Sequence, residues 1–331
     1  LIKGTNTLAS DWDPSIDTNH LLQQRKPALC FLMMIHRRLK TLPLTGRLKS
    51  VLLFMAGLMS WGALSAQSMN YLPQAEIGIG LGTAHYFGDL NPEGSLSPVH
   101  YSAQAFYQRY LGSYIGVRLS GSYVHLAASD KDNKDAAYHN RGLDFANNII
   151  ELSLSGSFNF FKYAPGVQGH SFTPYVGLGI GGIYSDPYTH TDQGEKVSLR
   201  KLGTEGQLSS TPHDGQKYGA LAMIFPLSVG VRQAISPKLN IFAEATYRFT
   251  TSDYLDDVST TYAGTTAFDG ANYKGSAAQA ARALALQDRS LDGKARAAGW
   301  QRGNSLAKDR YMTLQIGLSF NFGTCNCPEV Y

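Results

Sequence analysis

Residues 309–323 read DRYMTLQIGLSFNFG, and their parity decides the fold. Met312, Leu314, Ile316, Leu318, Phe320 and Phe322 fall on one face of an extended chain. Thr313, Gln315, Gly317, Ser319 and Asn321 fall on the other. Side chains alternate sides along a β-strand, so this segment presents one greasy face and one polar, narrow face. A core helix would place its apolar residues three and four apart instead.

Seven further segments carry the same period moving back toward the N-terminus: 239–250, 223–234, 172–184, 147–162, 114–126, 100–111 and 74–87. In 74–87, Ala75, Ile77, Ile79 and Leu81 oppose Glu76, Gly78, Gly80 and Gly82. In 114–126, Ile115, Val117 and Leu119 oppose Gly116, Arg118 and Ser120. In 147–162, Ile150, Leu152 and Leu154 oppose Glu151, Ser153 and Ser155. Phe225, Leu227, Val229 and Val231 oppose Ser228, Gly230 and Arg232, and Ile241, Ala243 and Ala245 oppose Glu244, Thr246 and Arg248. Each segment exceeds the roughly 9–11 residues that a tilted strand needs to cross a bilayer.

A soluble sandwich or a lipocalin-like barrel would show the same alternation, so the connections discriminate. Gly112–Ser113, Ala164–Ser171 and Ile235–Lys238 mark short or modest turns, while the other four connections run about 12, 20, 38 and 58 residues. Short turns at one end and long loops at the other fit an outer-membrane barrel with periplasmic termini. Loops this long are uncommon in compact soluble domains. An even strand count lets the sheet close and leaves no edge for lipid to face. The expected fold is therefore all-β, an eight-stranded antiparallel transmembrane barrel with short periplasmic turns and long extracellular loops.

Composition agrees. The 331 residues include 34 Gly, 19 Tyr and 15 Phe, and only 16% are charged. The formal net charge of +4 is set by residues 1–66, with eight basic and three acidic side chains; the remainder holds 21 and 22, a net of −1. A nucleic-acid partner loses its electrostatic footprint at that point. Arg37, Arg38, Lys40, Arg47 and Lys49 followed by apolar Val51–Leu64 read as a signal peptide over 33–66, with cleavage expected before Gln67. Residues 1–32 read as an upstream extension, 67–323 as the barrel and 324–331 as a periplasmic tail.

Candidate chemistry is sparse. The inward face carries Glu76, Glu151 and Glu244 with Arg118, Arg232 and Arg248. Inside a narrow barrel these are expected to pair into a structural network, the alternative being an ion or proton path, because a lone buried charge costs several kcal/mol. Asp253, Asp256 and Asp257 suggest a solvated acidic loop or, less readily, a divalent-cation site. The histidines, including His85, His100, His139, His170, His190 and His213, lack metal-ligand spacing, so no metal and no cofactor are expected. His125 and Ser129 are the one pair from which a lipid-modifying barrel enzyme could be built. The Ala-rich run 276–286 is expected to be a helical surface excursion and not a plug. Cys325 and Cys327 in the tail are too close in sequence for an unstrained mutual bond, and an intermolecular disulfide is one reading of them.

Two resemblances add to this. Gln315-Ile316-Gly317-Leu318-Ser319-Phe320-Asn321-Phe322 resembles the terminal-strand signal read by outer-membrane assembly machinery. The chain as a whole resembles the PorG-type barrel subunit of the type IX secretion system. The resemblance is carried by Glu76-Ile77-Gly78, Tyr86-Phe87-Gly88-Asp89-Leu90-Asn91-Pro92, Arg141-Gly142-Leu143-Asp144-Phe145, Leu202-Gly203-Thr204-Glu205-Gly206-Gln207, Tyr247-Arg248, Asp253-Tyr254-Leu255-Asp256-Asp257-Val258-Ser259 and the Cys-Pro tail before Tyr331. It implies a non-enzymatic barrel that anchors a periplasmic ring, built of a PorK-like lipoprotein and a PorN-like partner, to outer-membrane lipid. The rival expectation is an envelope-integrity or ligand-binding barrel whose outer loops meet polysaccharide or host molecules.

Overall fold

The computed structural model describes residues 75–191 and 193–322. Eight long strands form the barrel: β1 (Ala75–Phe87), β2 (His100–Tyr110), β3 (Ile115–Ser129), β4 (Asp144–Asn159), β5 (Phe172–Tyr184), β8 (Leu221–Ala234), β9 (Leu239–Thr250) and β10 (Arg310–Phe322). A three-residue hairpin, β6 (Tyr188–His190) and β7 (Lys196–Ser198), stands between β5 and β8 and joins the sheet where Tyr188 pairs with Ala146. The spatial order β3-β2-β1-β10-β9-β8-β5-β4 returns to its start because β3 also pairs with β4. β1 and β10 are in antiparallel register from Ala75↔Phe322 to Phe87↔Arg310. The result is a closed eight-stranded antiparallel barrel.

The predicted faces are the observed ones. Leu81 is 69% exposed and Ile316 65%, while Glu76 and Thr313 on the opposite parity are fully buried. The exposed side chains form a belt of Ile, Leu and Val flanked by aromatic residues. Phe158, Phe160, Phe172, Phe320 and Phe322 ring the end holding the termini, and Tyr101, Tyr123, Tyr184, Phe225 and Phe249 ring the other. An apolar band between two aromatic girdles is the surface a bilayer solvates, which makes this a transmembrane barrel of the outer-membrane type. Among the described residues no helix is long and apolar enough to cross a membrane.

Inside, large rings fit because small residues face them. A Cβ on Gly78 would strike the Phe106 ring, and one on Gly317 would strike Phe242. Phe106 and Phe242 meet edge to face at 5.4 Å across the lumen, a favoured aromatic geometry.

The structure extends the expected elements at the long-loop end. β3 and β4 run on to pair Ser129 with Asp144, three residues beyond the predicted limits. The loops they feed fold into a cap with three short helices: α1 (Ala136–Arg141), α2 (Leu199–Leu202) and α3 (Ala277–Gln287). The Ala-rich run is therefore helical but not a mere surface excursion. Its Ala280, Ala283 and Leu286 share one face at helical spacing, and that face is buried with Leu202, Phe268 and Tyr273 in a core continuous with Leu126, Phe145, Ile149, Ile183 and Ile224 of the barrel mouth. Ser276 and Gln279 close a reciprocal capping box at its N-terminus. The expected upstream extension, signal peptide and C-terminal tail, with Cys325 and Cys327, lie outside the described residues.

Candidate functional site

Among the described residues, buried charge gathers in two regions. The first is the lumen. Nearest the termini, Arg232 lies 3.5 Å from Glu76 with both side chains fully buried. Tyr110 bridges them, donating to Glu76 Oε2 and accepting from Arg232 Nη1. Tyr163 folds in from the 160–171 turn, and the Arg232 guanidinium lies 5.5 Å from its ring centre. One level up, Arg118 pairs with Glu244 at 2.5 Å and donates through Nε to Gln108 at 2.9 Å. Tyr175 adds a hydrogen bond to Glu244 at 2.8 Å, and the Arg118 guanidinium sits 4.2 Å over Phe106. At the third level Arg248 pairs with Glu151 at 2.8 Å, Tyr311 donates to the same carboxylate at 2.9 Å, and Arg248 Nη1 donates to Thr313 at 2.6 Å.

All six lumen charges named from the sequence thus sit inside, in three pairs. Each pair spans strands that are not neighbours in sequence, and each is supplemented by a tyrosine hydroxyl. Eight strands enclose a space only wide enough for side chains, and ion pairs and tyrosines occupy it at these three levels.

The second region is the barrel mouth and its cap. Arg302 donates to Glu205 Oε1 at 3.0 Å, to the Asp257 carbonyl at 2.6 Å and to the Gln287 carbonyl at 3.1 Å. Glu205 also accepts from the backbone N–H groups of Ser259 (2.8 Å) and Thr260 (3.1 Å). Thr204 and Tyr218 both donate to Asp257. Arg141 grips Asp130 with two bonds of 2.7 Å and donates to the carbonyls of Arg302 and Asp89. The Thr-Glu-Gly-Gln and Asp-Tyr-Leu-Asp-Asp-Val-Ser runs, far apart in sequence, are therefore one interlocked structure.

Carboxylates outnumber cations at the mouth. The Tyr86 hydroxyl lies 2.6 Å from Asp256 and 2.9 Å from Asp309, and Asp309 accepts from the Leu255 N–H at 2.8 Å. Burial pushes both carboxyls well above the ordinary range, and mutual repulsion with Asp89 adds to it. Burial likewise raises Asp89 to about 6, opposed by the Asn304 N–H and Arg141. Asp257 is also lifted to about 6 by burial, against the pull of Arg302, Thr204 and Tyr218. Asp253 is raised by burial too, although Ser259 donates to it at 2.5 Å and the half-exposed Lys308 ammonium stands 3.8 Å away.

Asp253, Asp256 and Asp257 are thus not a solvated acidic loop: they are 3%, 1% and 0% exposed. The reason is that backbone N–H groups, hydroxyls and Arg302 from distant loops fold over them. Among the described residues no group of three His, Cys, Asp or Glu side chains is placed to hold a metal. His125 and Ser129 do not meet. They lie four residues apart on β3, roughly 13 Å at about 3.3 Å per residue. His125 Nδ1 is 2.7 Å from Asn148 and its ring stacks on Tyr101, while Ser129 Oγ accepts from the Lys131 N–H. Arg302, Glu205, Asp130 and Arg141 were missed as charged sites from the sequence, because they lie in loops whose partners no periodicity reveals.

Against known proteins, the family model described as "Domain of unknown function (DUF6089)" matches residues 49–276. No curated protein matches. Among solved structures the chain is similar to Neisserial surface protein A, at 11% identity and a TM-score of 0.36, covering 75% of this chain and 97% of that one. It is also similar to the attachment invasion locus protein Ail of Yersinia pestis (11%, TM-score 0.34, 75% and 97%) and to the outer membrane protein OprG of Pseudomonas aeruginosa (11%, TM-score 0.34, 78% and 100%).

Proposed function

Since this chain belongs to the DUF6089 family, with no activity attached to that membership, we propose from its own geometry that it is a structural anchor in the outer membrane. In this reading it docks the periplasmic ring of a type IX secretion system and is not an enzyme. The observation that carries the anchor reading is the lumen, filled at three levels by ion pairs and tyrosines. A barrel so filled offers its surfaces and its ends, not a passage. The separation of His125 from Ser129 supports a non-catalytic role.

The resemblance to PorG-type subunits supplies the partners: a PorK-like lipoprotein and a PorN-like ring protein. Their contact is assigned to the end carrying the connections 111–114, 160–171 and 235–238, where β1 begins and β10 ends. In this orientation that end is periplasmic.

The test is affinity purification of the tagged protein from outer membranes, with identification of the periplasmic proteins that accompany it. Co-purification of ring subunits, lost on truncation after Gly323 or on altering the 235–238 turn, is the expected result. Retention of secretion in those variants, with loss only on cap deletions, would end the docking reading. Non-reducing gels of Cys325→Ser and Cys327→Ser report whether a disulfide contributes: a wild-type band shift that vanishes in either variant would establish one, and identical bands would exclude it.

A further inference from the structure

The cap holds a cavity of about 510 Å3 between α1 and the 296–304 segment. That is within the about 300–1,000 Å3 range of small-molecule clefts. Tyr138 and Trp300 contribute aromatic walls, and Asn140, Gln301 and Asn304 contribute amides. The aromatic residues stand out because of their exposure. Tyr254, Tyr262, Phe268 and Tyr273 of the same cap are buried, whereas Trp300 is 57% exposed and Tyr138 37%.

Three arginines also line the cavity, yet each guanidinium already has a carboxylate. Arg141 is chelated by Asp130, Arg302 is paired with Glu205, and Arg296 lies 3.0 Å from Asp292. Arg296 also stands 6.0 Å over the Trp300 ring, so the aromatic face nearest it is already served by a cation. An anionic ligand would need a free guanidinium or ammonium to neutralise it and would meet the Asp89 carboxylate, which also lines the cavity; a cationic one would meet the guanidiniums of Arg141 and Arg296, which already stand over the Tyr138 and Trp300 rings. Gln301 Nε2 already donates to the Gly303 carbonyl and Asn304 Oδ1 accepts from the Leu306 N–H, so a wholly apolar ligand would cover the Asn140 amide, Gln301 Oε1 and Asn304 Nδ2 without hydrogen-bonding them, at a cost. What remains is a neutral molecule with flat apolar faces and a rim of groups that both donate and accept. Sugar rings have that form: axial C–H groups lie against aromatic rings, and hydroxyls match the paired donor and acceptor of an amide side chain.

We propose that this cavity binds a neutral oligosaccharide, with pyranose faces stacked on Trp300 and Tyr138 and hydroxyls held by Asn140, Gln301 and Asn304. The site is independent of the secretion-anchor reading, which concerns the opposite end of the barrel.

The chain provides its own reporter: of its three tryptophans only Trp300 follows residue 66. The full protein, purified from outer membranes into a detergent without a sugar headgroup, is titrated with maltohexaose, chitohexaose and mannohexaose, and separately with a heparin hexasaccharide. Saturable change in Trp300 emission and matching calorimetric heat with at least one neutral hexasaccharide, and none with heparin, is expected. By calorimetry, Trp300→Ala abolishes binding and Tyr138→Ala weakens it roughly tenfold. Both residues are exposed, so unchanged far-UV circular dichroism certifies that the variants fold. Arg282→Ala, outside the cavity, leaves binding intact. Binding to none of the neutral sugars, binding to heparin alone, or full affinity in a folded Trp300→Ala protein would each overturn the assignment. Co-purification of ring subunits is expected to be unchanged in Trp300→Ala, so the two readings fail separately.

Discussion

The lumen and the mouth bury charge under different rules. In the lumen every glutamate has its own arginine and a tyrosine hydroxyl besides. At the mouth Asp256 and Asp309 meet at the Tyr86 hydroxyl with Asp89 and Asp253 close enough to repel them, while Arg141 is already held by Asp130 and the half-exposed Lys308 stands near Asp253. Balanced pairs resist change because removing either member strands the other. An unbalanced cluster responds to protons. The barrel wall is thus built to be indifferent to conditions that the cap registers.

The largest effect tests the balanced side. Arg232→Leu strands Glu76 and should cost about 3–5 kcal/mol, while Arg232→Leu with Glu76→Leu should recover most of it. Urea midpoints in detergent, followed by far-UV circular dichroism, measure both. A single variant as stable as wild type would break the comparison at its root.

Arg302→Ala comes next. It strands Glu205 and strips the Asp257 and Gln287 carbonyls of a donor, so the cap should lose about 3 kcal/mol. Trp300 emission should report an earlier unfolding midpoint while the circular dichroism of the barrel keeps its own. Parallel movement of both signals would show that cap and wall form one cooperative unit.

The pH response follows from the raised carboxyls. A carboxyl whose folded value lies above the unfolded one holds its proton more tightly when folded, so its stabilising contribution is complete below the ordinary carboxylate range. That contribution is lost as pH rises through the folded value, about 6 for Asp89 and Asp257. Cap midpoints should therefore fall between about pH 4 and pH 7 while the barrel signal moves little. Asp256→Asn removes one repelling charge and leaves an amide able to donate to the Tyr86 hydroxyl. It should raise cap stability at pH 8 by on the order of 1–2 kcal/mol and flatten the pH dependence. The smallest effect is Ser276→Ala, which opens the capping box of α3 and should cost the cap about 1 kcal/mol.

The same contrast explains what could be read in advance. Strand parity put Glu76, Arg118, Glu151, Arg232, Glu244 and Arg248 inside, because in a barrel a single residue step separates lipid from lumen. Parity does not say that Arg118 meets Glu244 or that Tyr110 joins Glu76 to Arg232; those depend on tilt and stagger around the ring. The mouth was less legible still. Asp253, Asp256 and Asp257 look like a solvent-facing acidic run until Glu205, Thr204, Tyr218 and Arg302 arrive from loops with no period of their own. The β6–β7 hairpin is three residues a side, too short to register as alternation. Tyr138 and Trp300 gave no signal in the sequence, since only the folded cap brings α1 against the 296–304 segment.

The seam between β1 and β10 has one further consequence. The first strand's final neighbour is the last one made, so Ala75 waits for Phe322 before either has all its backbone partners. Until β10 is paired, both edges of the sheet are open, and a long-range pairing of this kind is slow to form. Neither edge can face lipid with its N–H and C=O groups unpaired, so closing the seam and entering the bilayer have to proceed together.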